Sequence, residues 1–155
     1  MKELLKNILK GKVVIMGVGN LLRGDDGLGC MIVDRLKGNV RALCLDAGST
    51  PESYVGKIAK DNADTVLIID AAYLDRSPGD YEILEKNNLR GSGLSTHDIS
   101  PGVFFEYLLQ ETHADVYMLA VQPEKVGFGE EMSEKIKKAI SEISAILMDI
   151  LSLDK

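Results

Sequence analysis

The run Thr65-Val66-Leu67-Ile68-Ile69 is apolar after its first residue and rich in β-branched side chains. A strand of that composition has no polar face to offer water, so it belongs at the centre of a sheet that is covered on both sides. Val13–Met16, Val40–Leu45 and Val116–Val121 read as further strands, and Tyr81–Leu84 as a short one. Between them lie helical patterns. Leu4, Leu5, Ile8 and Leu9 form a stripe over residues 2–10. Cys30, Ile32, Val33 and Leu36 form another, stopped by Gly38-Asn39. Pro51-Glu52 suits a helix start, and further helices are expected from Pro101 and from Ser133. Strands that alternate with helices predict a three-layer α/β/α sandwich: a mostly parallel central sheet of about five strands with helices on both faces. A single domain over residues 1–155 is expected.

Composition removes several classes of function. A formal net charge of −6 gives no basic face for nucleic acid. No apolar run approaches the roughly 20 residues needed to span a bilayer, and Met1–Lys10 is amphipathic, without the apolar centre of a signal peptide. Cys30 and Cys44 form no C-x-x-C pair and read as free core thiols of a cytoplasmic protein.

In an open α/β sheet, sites form beyond the carboxyl ends of the strands. Here the first strand runs into Gly17–Gly29, G-V-G-N-L-L-R-G-D-D-G-L-G, in which adjacent acids Asp25 and Asp26 sit among glycines. Gly24 and Gly27 flank the acids and are candidates for positive φ. Asp46, Asp70 and Gln122-Pro123 follow other strands, and the poorly periodic stretch Asn87–Ile99, read as a long functional loop, contains His97. Asp26, Asp70 and His97 can therefore converge on one rim. Two carboxylates and an imidazole suit a first-row divalent metal with coordination positions left open.

Plainer roles compete for each residue. An aspartate before a helix commonly caps it, so Asp25 or Asp26 is expected to do so, with Asp25 the better candidate for a capping or loop-orienting role. Asp46 and Asp75 read as turn acids, His113 as a solvated histidine, and Cys30 as core. A dinucleotide-binding module is a further alternative, since Gly17-x-Gly19 and Asp46 imitate that arrangement; Leu22, where the third glycine should stand, weighs against it. Ser49, Thr50 and Ser95 lie in no nucleophile elbow.

The glycine loop, Asp70 after its strand, and S-T-H-D around His97 together resemble the hydrogenase maturation endopeptidase family. L-D-A-G-S-T-P-E (Leu45–Glu52) and V-Q-P-E-K-V-G-F (Val121–Phe128) are also similar to family segments. The latter, with S-T-H, points to the branch serving formate-hydrogenlyase-type hydrogenases. The resemblance runs from Lys12 to the last helix. It implies an endopeptidase, of the kind described as aspartyl-type, that removes the C-terminal extension of a nickel-loaded nickel–iron hydrogenase large-subunit precursor. It also implies that Asp26, Asp70 and His97 meet the nickel, which belongs to the substrate and is no permanent cofactor. Asp98-Ile99-Ser100-Pro101 lies where relatives vary, which bears on the choice of precursor. The expected partner is that precursor, with no nucleic acid and no membrane insertion, and the enzyme is expected to be a monomer. A non-proteolytic, nickel-dependent assembly chaperone would use the same three ligands.

Overall fold

The computed structural model describes residues 1–89 and 100–154. Among these residues five strands form one sheet in the order β2-β1-β3-β5-β4. They are β1 (Val13–Val18), β2 (Leu43–Gly48), β3 (Thr65–Ala71), β4 (Tyr81–Leu84) and β5 (Asp115–Val121). The pairs β1–β2, β1–β3 and β3–β5 are parallel, and β4 closes one edge antiparallel to β5. Among the described residues five α-helices accompany them: α1 (Lys2–Ile8), α2 (Leu28–Leu36), α3 (Val55–Asp61), α4 (Pro101–Glu111) and α5 (Glu134–Ile150). The α/β architecture read from the sequence is the one observed.

Alternation along the central strands builds two cores. Val13 and Ile15 of β1, Leu67 and Ile69 of β3, and Leu119 and Val121 of β5 pack beneath α1, α2 and α5. Their neighbours Val14, Met16, Val66, Ile68, Met118 and Ala120 face α3 and α4. Every residue of β1 and β3 is buried, as an unbroken apolar run requires.

Some element boundaries differ from expectation. The second strand starts at Leu43 and runs on through Asp46 to Gly48, so Asp46 lies within it. Pro51–Tyr54 is a 3-10 turn that leads into α3. The Asn87–Ile99 stretch begins inside another 3-10 turn, Lys86–Leu89; the rest of it, with His97, lies outside the described residues.

The strand order creates a crevice. From β1 the chain crosses through α2 to β2 at one edge, then returns through α3 to β3 on the other side of β1. The connections leaving β1 and β3 thus depart to opposite faces, α2 to one and α4 to the other. The carboxyl ends of these neighbouring strands form the topological switch point of the sheet. Here α2 sits very close to the strands. A Cβ on Gly17 would lie 2.3 Å from the Gly29 carbonyl oxygen, and one on Gly29 would lie 2.2 Å from that of Ile69.

Gly29→Ala should therefore force the helix off the sheet. The expected cost is about 1–3 kcal/mol, read as a fall in Tm of roughly 3–10 °C. An unchanged Tm would show that the helix tolerates the extra carbon.

Candidate functional site

Asp26 and Asp70 both sit at this switch point. β1 runs into the glycine loop, whose Gly24–Gly27 segment forms a 3-10 turn before α2. Asp26, in that turn, is 2% exposed, and its Oδ2 accepts from the Asn20 amide at 3.1 Å. Asp70 is near the end of β3, one residue past the Gly17–Ile69 pairing, and is 3% exposed. Its Oδ1 accepts from the Ala71 amide at 2.8 Å. The helix start that follows Asp26 touches the strand end that carries Asp70, through Gly29 and the Ile69 carbonyl. The third expected member, His97, lies outside the described residues. Among the described residues, no three His, Cys, Asp or Glu side chains are grouped to hold a metal ion. What they supply here is two carboxylates, hard oxygen donors of the kind that bind divalent cations.

Asp25 has a different task from the one its position before a helix suggests. Neither acid caps α2: Gly27 is the N-cap, with no side-chain hydrogen bond. Asp25 is instead fully buried and turned toward the connection between β5 and α5. Its Oδ2 accepts from the amides of Glu124 at 2.9 Å and Lys125 at 2.8 Å. Oδ1 accepts from the Ser133 amide, and Oδ2 also from the Ser133 hydroxyl, each at 2.8 Å. Four donors to one buried carboxylate compensate its removal from water. The charge also lies at the N-terminus of α5, where the helix dipole favours it.

The backbone completes this junction. The Asp25 amide donates to Lys125 O at 2.8 Å, and the Gly129 amide to Leu22 O at 2.8 Å. Arg23 Nε donates to Val126 O at 3.1 Å. Gly24 has φ +56°, and a Cβ there would stand 2.6 Å from Lys125 O, so the junction needs glycine at this position. Gly27, with φ −83°, does not share that reason; a Cβ on it would meet the Leu21 backbone at 2.9 Å.

The remaining candidates take structural roles. Asp46 Oδ1 accepts from the Gly48 amide at 3.2 Å, a local turn contact. Gln122, after β5, accepts from the Leu74 amide at 2.6 Å and so ties down the chain beyond β3. Cys30 is core, and its Sγ lies 3.6 Å from Gly19 O. Burial first, then the hydrogen bond and charge of Asp46, and lastly the charge of Asp70 push its thiol up to about 12. Burial likewise pushes Cys44 up to about 11. Neither is an ionised nucleophile near neutral pH.

A doubly wound α/β sheet with two buried acids at its switch point defines the class of molecule, and comparison with known proteins narrows it. A family model described as hydrogenase maturation protease matches residues 30–150. The hydrogenase 3 maturation protease of Escherichia coli K12 is 30% identical over 134 residues, which cover 84% of this chain and 85% of that one. The crystal structure of the NiFe-hydrogenase maturation protease HycI from Thermococcus kodakarensis superposes with a TM-score of 0.88 at 34% identity, over 96% of this chain and 98% of that one. The solution structure of the endopeptidase HycI from Escherichia coli gives a TM-score of 0.79 at 26% identity, over 90% of each chain. The chain belongs to the hydrogenase maturation protease family. It is a peptide hydrolase of that family.

Two measurements test this account. Asp25→Ala leaves four donors, two of them buried, without their acceptor and should cost about 3–5 kcal/mol, whereas Ser133→Ala should cost about 1 kcal/mol. Denaturant unfolding of both variants gives the ratio, and near-equal losses would mean that the carboxylate is not the centre of the junction. The thiols give the second. At pH 8 a thiol at its ordinary 9.0 is about one-tenth ionised, and Cys30 at about 12 about a thousandfold less. Alkylation of Cys30 in the folded protein should therefore be at least a thousandfold slower than in denaturant. Since folding raises this value, the protonated thiol favours the folded state fully below about pH 9, and that contribution fades as pH rises toward 12.

Proposed function

We propose that this enzyme removes the C-terminal extension of a nickel-loaded nickel–iron hydrogenase large-subunit precursor, and that Asp26, Asp70 and His97 recognise the nickel the precursor carries. The observation that supports this reading most is the placement of Asp26, in the turn between β1 and α2, and Asp70, near the end of the neighbouring β3, at the switch point of a hydrogenase maturation protease fold. Paired carboxylates in an acidic protein would attract a cation presented on a substrate surface. The imidazole of His97 adds a nitrogen donor, which suits nickel.

In this reading the nickel is part of the substrate, and its contact with the two aspartates and the histidine sets where the precursor docks. Holding the scissile bond in place accounts for several kcal/mol of barrier lowering by itself. Hydrolysis then adds water across the peptide bond, with hydroxide going to the carbonyl carbon and the proton to the leaving amine. A carboxylate of the pair is suited to take the water proton in the attack step. The nickel supplies positive charge next to the carbonyl oxygen or the attacking water. No acyl-enzyme is needed, in keeping with the raised, protonated thiols of Cys30 and Cys44.

Incubation with nickel-loaded and nickel-free precursor, followed by mass measurement of its C-terminus, tests the reading. Shortening of the nickel-loaded form alone is expected; equal shortening of both forms refutes metal-gated recognition. Asp26→Asn keeps the shape of the side chain and removes its charge. Processing should fall by about 100-fold or more while the Tm stays within a few degrees of wild type. Full processing by this variant would remove Asp26 from the site.

A further inference from the structure

A groove of about 400 Å³ lies between α2 and α5, on the face of the sheet opposite α3 and α4. Its floor is apolar: Met31 and Met132 are half-buried, Ile140 is buried, and Leu21 forms an exposed lip. The two ends differ in charge. Both helices start at the junction around Asp25 and run away from it. Glu130 stands at the near end, beside Gly24. Arg35 and Ser141 stand at the far end, one turn beyond Met31 on α2 and Lys137 on α5. There Arg35 Nη1 donates to Ser141 Oγ at 3.1 Å, across the groove.

These polar groups keep capacity for a guest. Among the described residues, neither Arg35 nor Glu130 has an ion-pair partner. Ser141 engages one N–H of the Arg35 fork, and the others remain for a carboxylate. The Ser141 hydroxyl accepts that bond and keeps its own proton to donate. A guanidinium held in place beside a hydroxyl matches a carboxylate and is oriented before one arrives. Lys137 adds little charge, since it is paired with Glu134 at 3.1 Å on the exposed surface. The thioethers of Met31 and Met132 adapt to apolar side chains of varied shape. Glu130, at the other end, repels a second carboxylate and accepts from a cation or an N–H. A fatty-acid-like amphiphile offers a carboxylate and an apolar body but nothing for Glu130. A peptide offers all three. We propose that the α2–α5 groove binds a short peptide segment whose apolar side chains lead to an acidic residue, with the acid on Arg35 and Ser141 and a basic or amino-terminal group at Glu130. Neither Asp26 nor Asp70 lines this groove, so the proposal stands apart from the reading of the cleavage site.

The test is titration of isotope-labelled enzyme, followed by amide chemical shifts, with three probes. They are the amidated peptide Lys-Ala-Leu-Leu-Asp, the same peptide ending in Asn, and dodecanoate. The Asp peptide should give saturable shifts at Met31, Arg35, Lys137 and Ser141, and the Asn peptide should bind about tenfold more weakly or worse. Arg35→Met keeps the apolar stem and removes the guanidinium; it should weaken the Asp peptide by a similar factor while the Tm stays within a few degrees. Ser141→Ala, read in the same way, decides the matter should Arg35→Met fail to fold. No shifts at these amides, equal affinity for the Asp and Asn peptides, or unchanged affinity in the variants each overturns the proposal. A lower Tm in Arg35→Met with unchanged peptide affinity assigns the Arg35–Ser141 contact to helix packing alone and overturns it as well. Dodecanoate that binds here more tightly than the peptide, with no response to Glu130→Gln, assigns the groove to a free amphiphile and has the same consequence.

Discussion

The arrangement depends on one buried carboxylate. Asp25 accepts four hydrogen bonds from a segment about a hundred residues further along the chain, and it does so from within the turn that also carries Asp26. Burial of a charge is costly unless every lone pair is used. Here each oxygen is engaged, so the interaction fixes geometry as well as offsetting desolvation. The strand–loop–helix passage from β1 to α2, the start of α5 and the loop after β5 all refer to this point. The neighbouring carboxylate of Asp26 is thereby held in place through Asp25.

The sheet contributes the second constraint. Because β1 and β3 are neighbours whose onward connections leave to opposite faces, their carboxyl ends cannot be covered by one helix. The close seating of α2 through Gly17 and Gly29 brings the glycine loop against the end of β3. Asp26 and Asp70 are consequently brought to one place by topology and close packing, although 44 positions separate them in the sequence.

Much of this was legible in the residues. Thr65–Ala71 announced itself as central because no polar face interrupts it, and alternating helical stripes then required cover on both sides. The glycine loop, with acids after a strand, marked the rim. Other features were not legible for physical reasons. Asp46-Ala47-Gly48 has turn composition, yet Asp46 and Gly48 both pair with β1 across a register shift, with Gly48 at φ +55°. Asp25 looked like a cap because its partners, Glu124, Lys125 and Ser133, form no local pattern with it. A contact across 108 positions leaves no periodic trace. The exposure of Leu21, Leu22 and Phe128 was likewise invisible, since apolar side chains read as core and only the folded chain shows them exposed.

The length of that span also orders events in time. During synthesis the glycine loop and β3 emerge early, but the donors that hold Asp25 belong to residues 124–133. Closing so long a loop carries an entropic cost that only the packed sheet and helices repay. An emerging chain that has reached β4 already contains Asp26 and Asp70 but lacks every donor that anchors Asp25. The junction around Asp25 is thus a property of the finished fold.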